Sequence, residues 1–178
     1  IAEGFKGRNR ESQVPALLEL LDIPYSGSDP AALSIALDKG LAKRMVRTHG
    51  ILTPQGILMT TGREKLPRDL RWPVLVKPVA EGSSKGVIGK SVCENENELR
   101  DVAREMIGKY RQPALVEEYI SGREFTVGLL GERRPRVLPP MEIVFLDTSM
   151  THPIYSFEMK QDWDQRIRYD APAKIDDR

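Results

Sequence analysis

Cysteine and histidine are almost absent from this chain of 178 residues. The single cysteine, Cys93, cannot form an intrachain disulfide, and a lone thiol indicates a reducing compartment, so we expect a cytoplasmic protein. With only His49 and His152 present, we expect both histidines to be surface or turn residues. The sequence therefore predicts no metal site among these residues and shows no Ser-His-Asp catalytic pattern.

The chain also lacks the features of membrane and nucleic-acid-binding proteins. No apolar run approaches the roughly 20 residues of a membrane-spanning helix. The formal net charge is only +1, so we expect neither nucleic acid nor a membrane surface as a partner. Hydrophobic residues make up 40% and charged residues 30% of the chain, which is typical of a globular protein with a buried core.

The two common phosphate-binding motifs are missing as well. Neither the P-loop spacing GxxxxGK[ST] nor the dinucleotide fingerprint GxGxxG occurs in the sequence. If the chain binds a nucleotide, it must use another arrangement of cations and backbone amides.

Helix and strand patterns alternate as far as Tyr119, and strands then follow one another. The clearest helix follows Asn95, which can cap it, and carries an apolar stripe. Short apolar runs such as GILM (56–59) and PVLVK (73–77) predict strands, whereas the polar, aperiodic segment after Asp147 predicts a long functional loop. This order predicts an α+β fold with mixed or antiparallel sheets rather than a doubly wound parallel sheet.

Lysines recur where predicted strands and helices meet glycine-rich turns. Lys77 ends an apolar strand and is followed by EGSSKG, whose backbone amides and hydroxyls can surround an anion. Lys39 and Lys43 lie one helical turn apart and present two more cations on one face. Such a set can hold a polyphosphate. Taken alone, each lysine could equally be solvent-exposed and EGSSKG an ordinary turn.

The segment LVEEYISGREF suits a nucleoside. A nucleoside needs an apolar slot for its base and a carboxylate for its ribose hydroxyls. Glu117, Glu118 and Ile120 on the first predicted strand and Glu124 after the turn can supply these groups. The alternative is a hairpin whose acidic side chains are simply solvated.

Together, these motifs resemble one family. In order, LLELLDIPYSGSD, LDKGLAK, VLVKPVAEGSSKG, LVEEYISGREFTVGLLG and YSFEMK are similar to the D-alanine–D-alanine ligases of the ATP-grasp superfamily, over essentially the whole chain. The resemblance implies the end of an α/β N-terminal domain at 1–32 and a central ATP-binding lobe at 33–121. It implies the start of the C-terminal ATP-grasp lobe, with its mobile loop, at 122–178.

The resemblance also assigns roles to individual residues. It implies that Lys43 and Lys77 contact ATP phosphates, and that Ser83 and Ser84 lie in the loop that closes over the phosphates and the substrate. Glu117, Glu118 and Ile120 would line the adenine slot, and Glu124 would hold the ribose. Lys160 would be the lysine of the mobile loop. Ser83 and Lys160 are the residues expected to act in catalysis.

The implied activity is ATP-dependent joining of two amino acids through an acyl phosphate, with Mg²⁺, in cytoplasmic peptidoglycan synthesis, and with a possible homodimer. The family's magnesium ligands and its first glycine-rich loop fall outside the 178 residues. We therefore expect the chain to be an internal piece of a longer protein and inactive alone.

Two departures from the family pattern fall where the substrate is chosen. Gln161 follows Lys160 where a tyrosine is usual, and IAEG (1–4) replaces a His-Gly motif. A ligase for another amino or hydroxy acid, or a non-catalytic ATP-binding module, therefore stays open.

Overall fold

The computed structural model describes residues 4–175. The chain divides into two compact units between Tyr119 and Ile120. The predicted boundaries at 1–32, 33–121 and 122–178 include residues 1–3 and 176–178, which lie outside the described residues.

The first unit begins with three helices, and aspartate side chains cap the second and third of them. They are α1 (Arg10–Leu20), α2 (Pro30–Leu37) and α3 (Lys39–Thr48). Asp29 caps α2 by accepting a hydrogen bond from the Ala32 amide at 2.8 Å, and Asp38 caps α3 by accepting one from the Leu41 amide at 2.9 Å. Because Asp38 lies directly between α2 and α3, one capping residue fixes where α3 starts.

A four-stranded antiparallel sheet forms the rest of the first unit. Its strands are β1 (Gly56–Met59), β2 (Val74–Pro78), β3 (Val92–Cys93) and β4 (Ala114–Glu118), in the order β1-β4-β2-β3. Helix α4 (Glu96–Tyr110) begins at Asn95, whose side chain accepts a hydrogen bond from the Glu98 amide, as the sequence predicted. The core lies between α4 and one face of the sheet and contains Met59, Val74, Val76, Leu99, Ala103 and Val116, all with 0% exposure. That face is therefore closed by packing, and the opposite face is available for charged groups.

The second unit contains two small antiparallel sheets. One has the order β5-β8-β9, formed by β5 (Glu124–Thr126), β8 (Met141–Phe145) and β9 (Ile167–Asp170), and the other pairs β6 (Leu129–Leu130) with β7 (Arg136–Val137). Two short helices, α5 (Phe157–Gln161) and α6 (Trp163–Arg166), precede β9. The small buried core of the second unit contains Ile143, Met159 and Ile167. Both units combine helices with antiparallel sheets, which agrees with the predicted α+β class.

Three local expectations were wrong. The segment after Asp147 is not one long loop, because α5, α6 and β9 lie within it. These elements are too short for periodicity to reveal, and β9 gains its backbone hydrogen bonds only by pairing with β8. The apolar pattern of RVLPPMEIVF (136–145) predicts one further strand, but the structure splits it into β7 and β8, because Pro139 and Pro140 have no amide hydrogen for a ladder.

The third wrong expectation concerns α1. The sequence ESQVPALLELL predicts a helix with Ser12 as its cap, but α1 starts two residues earlier, and the Ser12 hydroxyl is buried and accepts a hydrogen bond from Ser34 at 2.8 Å. The apolar face of this helix is partly solvent-accessible, with Leu17 53% and Leu21 57% exposed.

Within residues 4–175, no helix combines the length and apolar character that crossing a membrane requires.

Candidate functional site

The alternation of β2 places Lys77 on the face of the sheet opposite the core. Val74, Val76 and Pro78 are buried, whereas Leu75 and Lys77 are partly exposed. Because side chains alternate along a strand, a lysine at this position can end an apolar strand without entering the core. The sequence pattern PVLVK therefore has a structural reason: its lysine faces the opposite side from its valines.

Glu117 of β4 lies on the same face and pairs with two lysines. Its carboxylate forms ion pairs with the ammonium groups of both Lys43 and Lys77, and only 4% of the residue is exposed. Lys43, on α3, also donates a hydrogen bond to the Pro54 carbonyl oxygen at 2.6 Å. Helix α3 and strands β2 and β4 thus bring three charged groups to one point.

The charges of this cluster determine the protonation state of Glu117. Burial by itself raises the pKa of a carboxyl group, but the ammonium groups of Lys77 and Lys43 outweigh it and hold the pKa of Glu117 below its usual value. Glu117 is therefore ionised at neutral pH and keeps both lysines in place.

A third lysine, Lys39, joins this cluster and was not among the residues singled out by the resemblance. Its ammonium group donates hydrogen bonds to the carbonyl oxygens of Pro78 at 3.1 Å and Glu81 at 2.5 Å. Burial first, and then the nearby charge of Lys77, lower the pKa of Lys39 to about 8. The i, i+4 spacing of the lysines in DKGLAK was the sequence signal for it.

The segment EGSSKG (81–86), which we call the serine loop, follows β2. Ser83 and Ser84 both have positive φ angles, 50° and 58°, which non-glycine residues seldom adopt. Local backbone bonds close the turn, from the Lys85 amide to the Gly82 carbonyl oxygen and from the Val87 amide to that of Ser84, each at 2.9 Å. Strained residues of this kind concentrate at ligand-binding loops, which marks the turn as more than an ordinary connection.

Glu118 and Ile120 lie at the far end of β4. The Glu118 amide donates to the Gln55 carbonyl oxygen at 2.9 Å, and the Glu118 carboxylate accepts a 3.3 Å hydrogen bond from the Arg71 amide. Ile120 is 66% exposed and is the first residue of the second unit. The Glu118 side chain is thus bound to its own unit, whereas Ile120 offers an accessible apolar surface.

Glu124 and Lys160 are both in the second unit. The Lys160 ammonium group lies 4.6 Å from the centre of the Tyr155 ring, a cation–π contact. Burial lowers the pKa of Lys160, and the negative charge of Glu124 partly offsets this effect. Glu124 and Lys160 are therefore close enough to interact electrostatically, while Gln161 beside Lys160 is exposed.

The described part of the chain offers no ready-made metal centre. Among residues 4–175, no group of three histidine, cysteine, aspartate or glutamate side chains is placed to hold a metal ion. Because Mg²⁺ takes oxygen ligands in octahedral geometry, this part of the chain does not supply a complete ligand set for it.

Comparison with known proteins identifies the family. The family described as D-ala D-ala ligase C-terminus matches residues 47–178 of the chain. The chain belongs to the D-alanine–D-alanine ligase family. The chain is 37% identical, over 99% of its length, to the uncharacterized protein y4sG of Sinorhizobium fredii, and the match covers 51% of y4sG. It is also 38% identical, over 75% of its length, to the D-alanine–D-alanine ligase of Aquifex aeolicus, of which the match covers 44%.

A solved structure supports the same assignment. The D-alanine–D-alanine ligase of Bacillus anthracis complexed with ATP matches with a TM-score of 0.63 and 28% identity, over 91% of this chain and 54% of that one. The predicted ATP-grasp fold class is therefore confirmed. The chain spans about half the length of the curated relatives it matches.

Proposed function

We propose that this chain is the ATP-binding portion of an ATP-dependent carboxylate–amine ligase. The observation that carries the proposal is the meeting of Lys43 and Lys77 on the buried carboxylate of Glu117, beside the serine loop. A structural ion pair needs one cation for each carboxylate, whereas two lysines, Lys43 and Lys77, share the single negative charge of Glu117. The excess positive charge suits a polyphosphate.

In this proposal the lysines bind the phosphates of ATP directly. The triphosphate competes with Glu117 for Lys43 and Lys77, and Glu117 keeps the two ammonium groups from repelling each other before ATP arrives. The hydroxyls and amides at Ser83 and Ser84 close over the phosphates and the reacting carboxylate, so Ser83 takes part in catalysis. ATP binding is supported by one solved relative, the D-alanine–D-alanine ligase of Bacillus anthracis, which is complexed with ATP.

The nucleoside and the closing loop involve the second unit. We assign Glu117, Glu118 and Ile120 to the adenine slot, partly through backbone groups, and Glu124 to the ribose hydroxyls. Lys160, on helix α5, belongs to the segment proposed to close over the active site. We retain the division at 1–32, 33–121 and 122–178 as the end of an N-terminal domain, the central lobe and the start of the C-terminal lobe.

The proposed reaction has two steps. The γ-phosphoryl group of ATP passes to the carboxylate of the first amino acid, and ADP leaves. The amine nitrogen of the second amino acid then attacks the acyl carbon, phosphate leaves, and an amide bond forms. Mg²⁺, as the family resemblance implies, would supply further charge neutralisation for the phosphoryl group.

The product is a D-alanyl-D-alanine-type dipeptide, made in the cytoplasm for peptidoglycan synthesis, and the enzyme is proposed to be a homodimer. Gln161 beside Lys160 favours one alternative, in which another amino or hydroxy acid is joined. We also propose, as the family resemblance implies, that the 178-residue chain has no ligase activity alone.

Titration with ATP tests the binding proposal. A ligand that binds only the folded state raises the melting temperature as its concentration rises. We expect ATP to raise the melting temperature of the chain, and adenosine, which lacks phosphates, to raise it much less. No shift with ATP at concentrations on the order of millimolar would refute the assignment.

Measurement of phosphate release tests the reaction. We expect the 178-residue chain to release no phosphate with D-alanine, and the full-length protein to do so with one member of a panel of D- and L-amino acids and D-lactate. Release by no member of that panel would favour the non-catalytic ATP-binding module.

A further inference from the structure

The base of the serine loop is fixed by side chains that lie far from it in the sequence. Ala80 and Glu81 directly precede Gly82, Ser83 and Ser84, and groups from three separate segments bind them. We infer that Arg10, acting through Glu81 and together with Gln112, is a positioning residue for this loop. The expected effect of Arg10 on ATP binding rests on the proposed function, whereas its effect on the position of the loop does not.

Arg10 on α1 makes two contacts at the loop base. One guanidinium nitrogen donates to the Ala80 carbonyl oxygen at 2.9 Å, and the other donates to Glu81 Oε2 at 3.1 Å. The side chains of Arg10 and Glu81 are only 15% and 11% exposed, so water screens the pair weakly. A guanidinium group holds such a pair of acceptors in a fixed geometry, which a lysine cannot reproduce.

Gln112, in the turn after α4, completes the contacts. Its Oε1 accepts a hydrogen bond from the Ala80 amide at 2.6 Å, and its Nε2 donates to Glu81 Oε1 at 2.8 Å. The amide and carbonyl of Ala80 are therefore both bound by side chains, as are both carboxylate oxygens of Glu81. Lys39 binds the Glu81 carbonyl oxygen in addition.

The tip of the loop is held differently from its base. Ser83 is exposed, and two local backbone hydrogen bonds close the turn, from the Lys85 amide to the Gly82 carbonyl oxygen and from the Val87 amide to that of Ser84. A fixed base limits motion to the residues after Glu81. The Arg10–Glu81 pair consequently fixes the point from which Gly82, Ser83 and Ser84 extend.

Hydrogen–deuterium exchange of the 178-residue chain tests this role through the Arg10→Gln variant. We expect the amides of residues 82–88 to exchange on the order of ten-fold faster than in wild type, because a charge-assisted contact to the base is lost. Exchange within α4 and β4 should not change. Arg104→Gln is the matched control, since Arg104 is an exposed arginine that pairs with Asp101 on the same helix.

Nucleotide binding gives the second measurement. With ATP as the ligand, we expect Arg10→Gln to bind several-fold more weakly, Arg10→Lys to recover part of the loss, and Arg104→Gln to match wild type. If wild type does not bind ATP, the proposed function fails, but faster exchange confined to residues 82–88 still supports the positioning role.

Two results would overturn the inference. One is unchanged exchange at residues 82–88 in Arg10→Gln; the other is faster exchange across the whole first unit, which would make Arg10 a general stabilising residue. If Arg10→Gln does not fold, Gln112→Leu decides by the same measurement, because it removes both glutamine contacts and leaves the Arg10–Glu81 pair in place.

Discussion

Lys77 and Glu117 lie on neighbouring strands of one sheet and form an ion pair on the face opposite the hydrophobic core. Helix α4 separates them in the sequence, so the pair exists only because β2 and β4 are adjacent. Lys43 joins the same carboxylate from α3. The candidate phosphate site is therefore a property of the sheet order as much as of the lysines.

Replacing Lys77 with methionine should weaken ATP binding. Loss of one charge-assisted contact costs about 1.5–3 kcal/mol, which corresponds to roughly a 10- to 100-fold lower affinity. The fold should persist, because Lys43 still pairs with Glu117. Isothermal titration calorimetry with ATP measures the change, and Lys90→Met, at an exposed lysine, is the control. Equal affinities for the two variants would show that Lys77 does not bind phosphate.

Replacing Glu117 with glutamine should destabilise the fold. Lys43 and Lys77 would then be partly buried like charges without their shared carboxylate, and breaking a buried pair costs about 3 kcal/mol or more. Urea unfolding at neutral pH measures this loss. Glu105→Gln, at an exposed glutamate, should leave the free energy of unfolding nearly unchanged.

The Glu117 contribution should depend on pH in acid. The folded-state pKa is lower than the ordinary value of 4.5, so the unfolded chain binds a proton first. The stabilisation is fully present above pH 4.5 and is lost as the pH falls through the folded-state pKa. The difference in unfolding free energy between wild type and Glu117→Gln should therefore shrink below pH 4.5. A difference that stays constant with pH would show that the ionised Glu117 carboxylate does not stabilise the fold.

Lys39 should make ATP affinity and stability change in opposite directions with pH. Its pKa in the folded chain is about 8, against 10.5 ordinarily, so raising the pH through 8 removes a positive charge from the site and should weaken ATP binding. Between about pH 8 and pH 10.5 the unfolded chain binds more protons than the folded chain, so the free energy of unfolding should rise with pH over this range.

The Lys39→Arg variant separates these effects. Arginine stays protonated, so ATP affinity should remain constant from about one pH unit below to about one unit above the Lys39 pKa. Calorimetric titration at several pH values measures affinity, and urea unfolding measures stability. If Lys39→Arg lost affinity with pH as wild type does, another group would be responsible.

Gly86 should not tolerate a side chain. Its φ is +82°, and a Cβ there would lie 2.6 Å from Pro78 Cγ and 3.0 Å from Tyr110 Cε2. We expect Gly86→Ala to lower the free energy of unfolding by about 1–3 kcal/mol, as measured by urea unfolding. Gly89→Ala is the matched control, because nothing lies within 4 Å of a Cβ at that position. Equal losses in both variants would show that the close approach to Pro78 is unimportant.

Several elements of the fold could be predicted from local sequence alone. Asn95 and the apolar stripe after it predicted α4, because capping and helical periodicity act within a few residues. Asp29 before Pro30 is an equally local signal for the start of α2. The order of these elements was enough to predict an α+β fold.

The elements that depend on distant partners could not be placed this way. Strand β9 was missed because its hydrogen bonds come from β8, and the burial of Ser12 depends on Ser34 of α2. Neither partner is near enough in sequence to leave a local pattern.

The sequence by itself determined which groups are available: the lysines of DKGLAK, the lysine that ends PVLVK, the acids of LVEEY and the serine loop. Only the tertiary structure decided which of them meet. The order β1-β4-β2-β3 brings Lys43 and Lys77 to one buried carboxylate, and the packing of α1 places Arg10 against Glu81. The physical reason is that ion pairing acts over a few ångströms in space, whatever the separation along the chain.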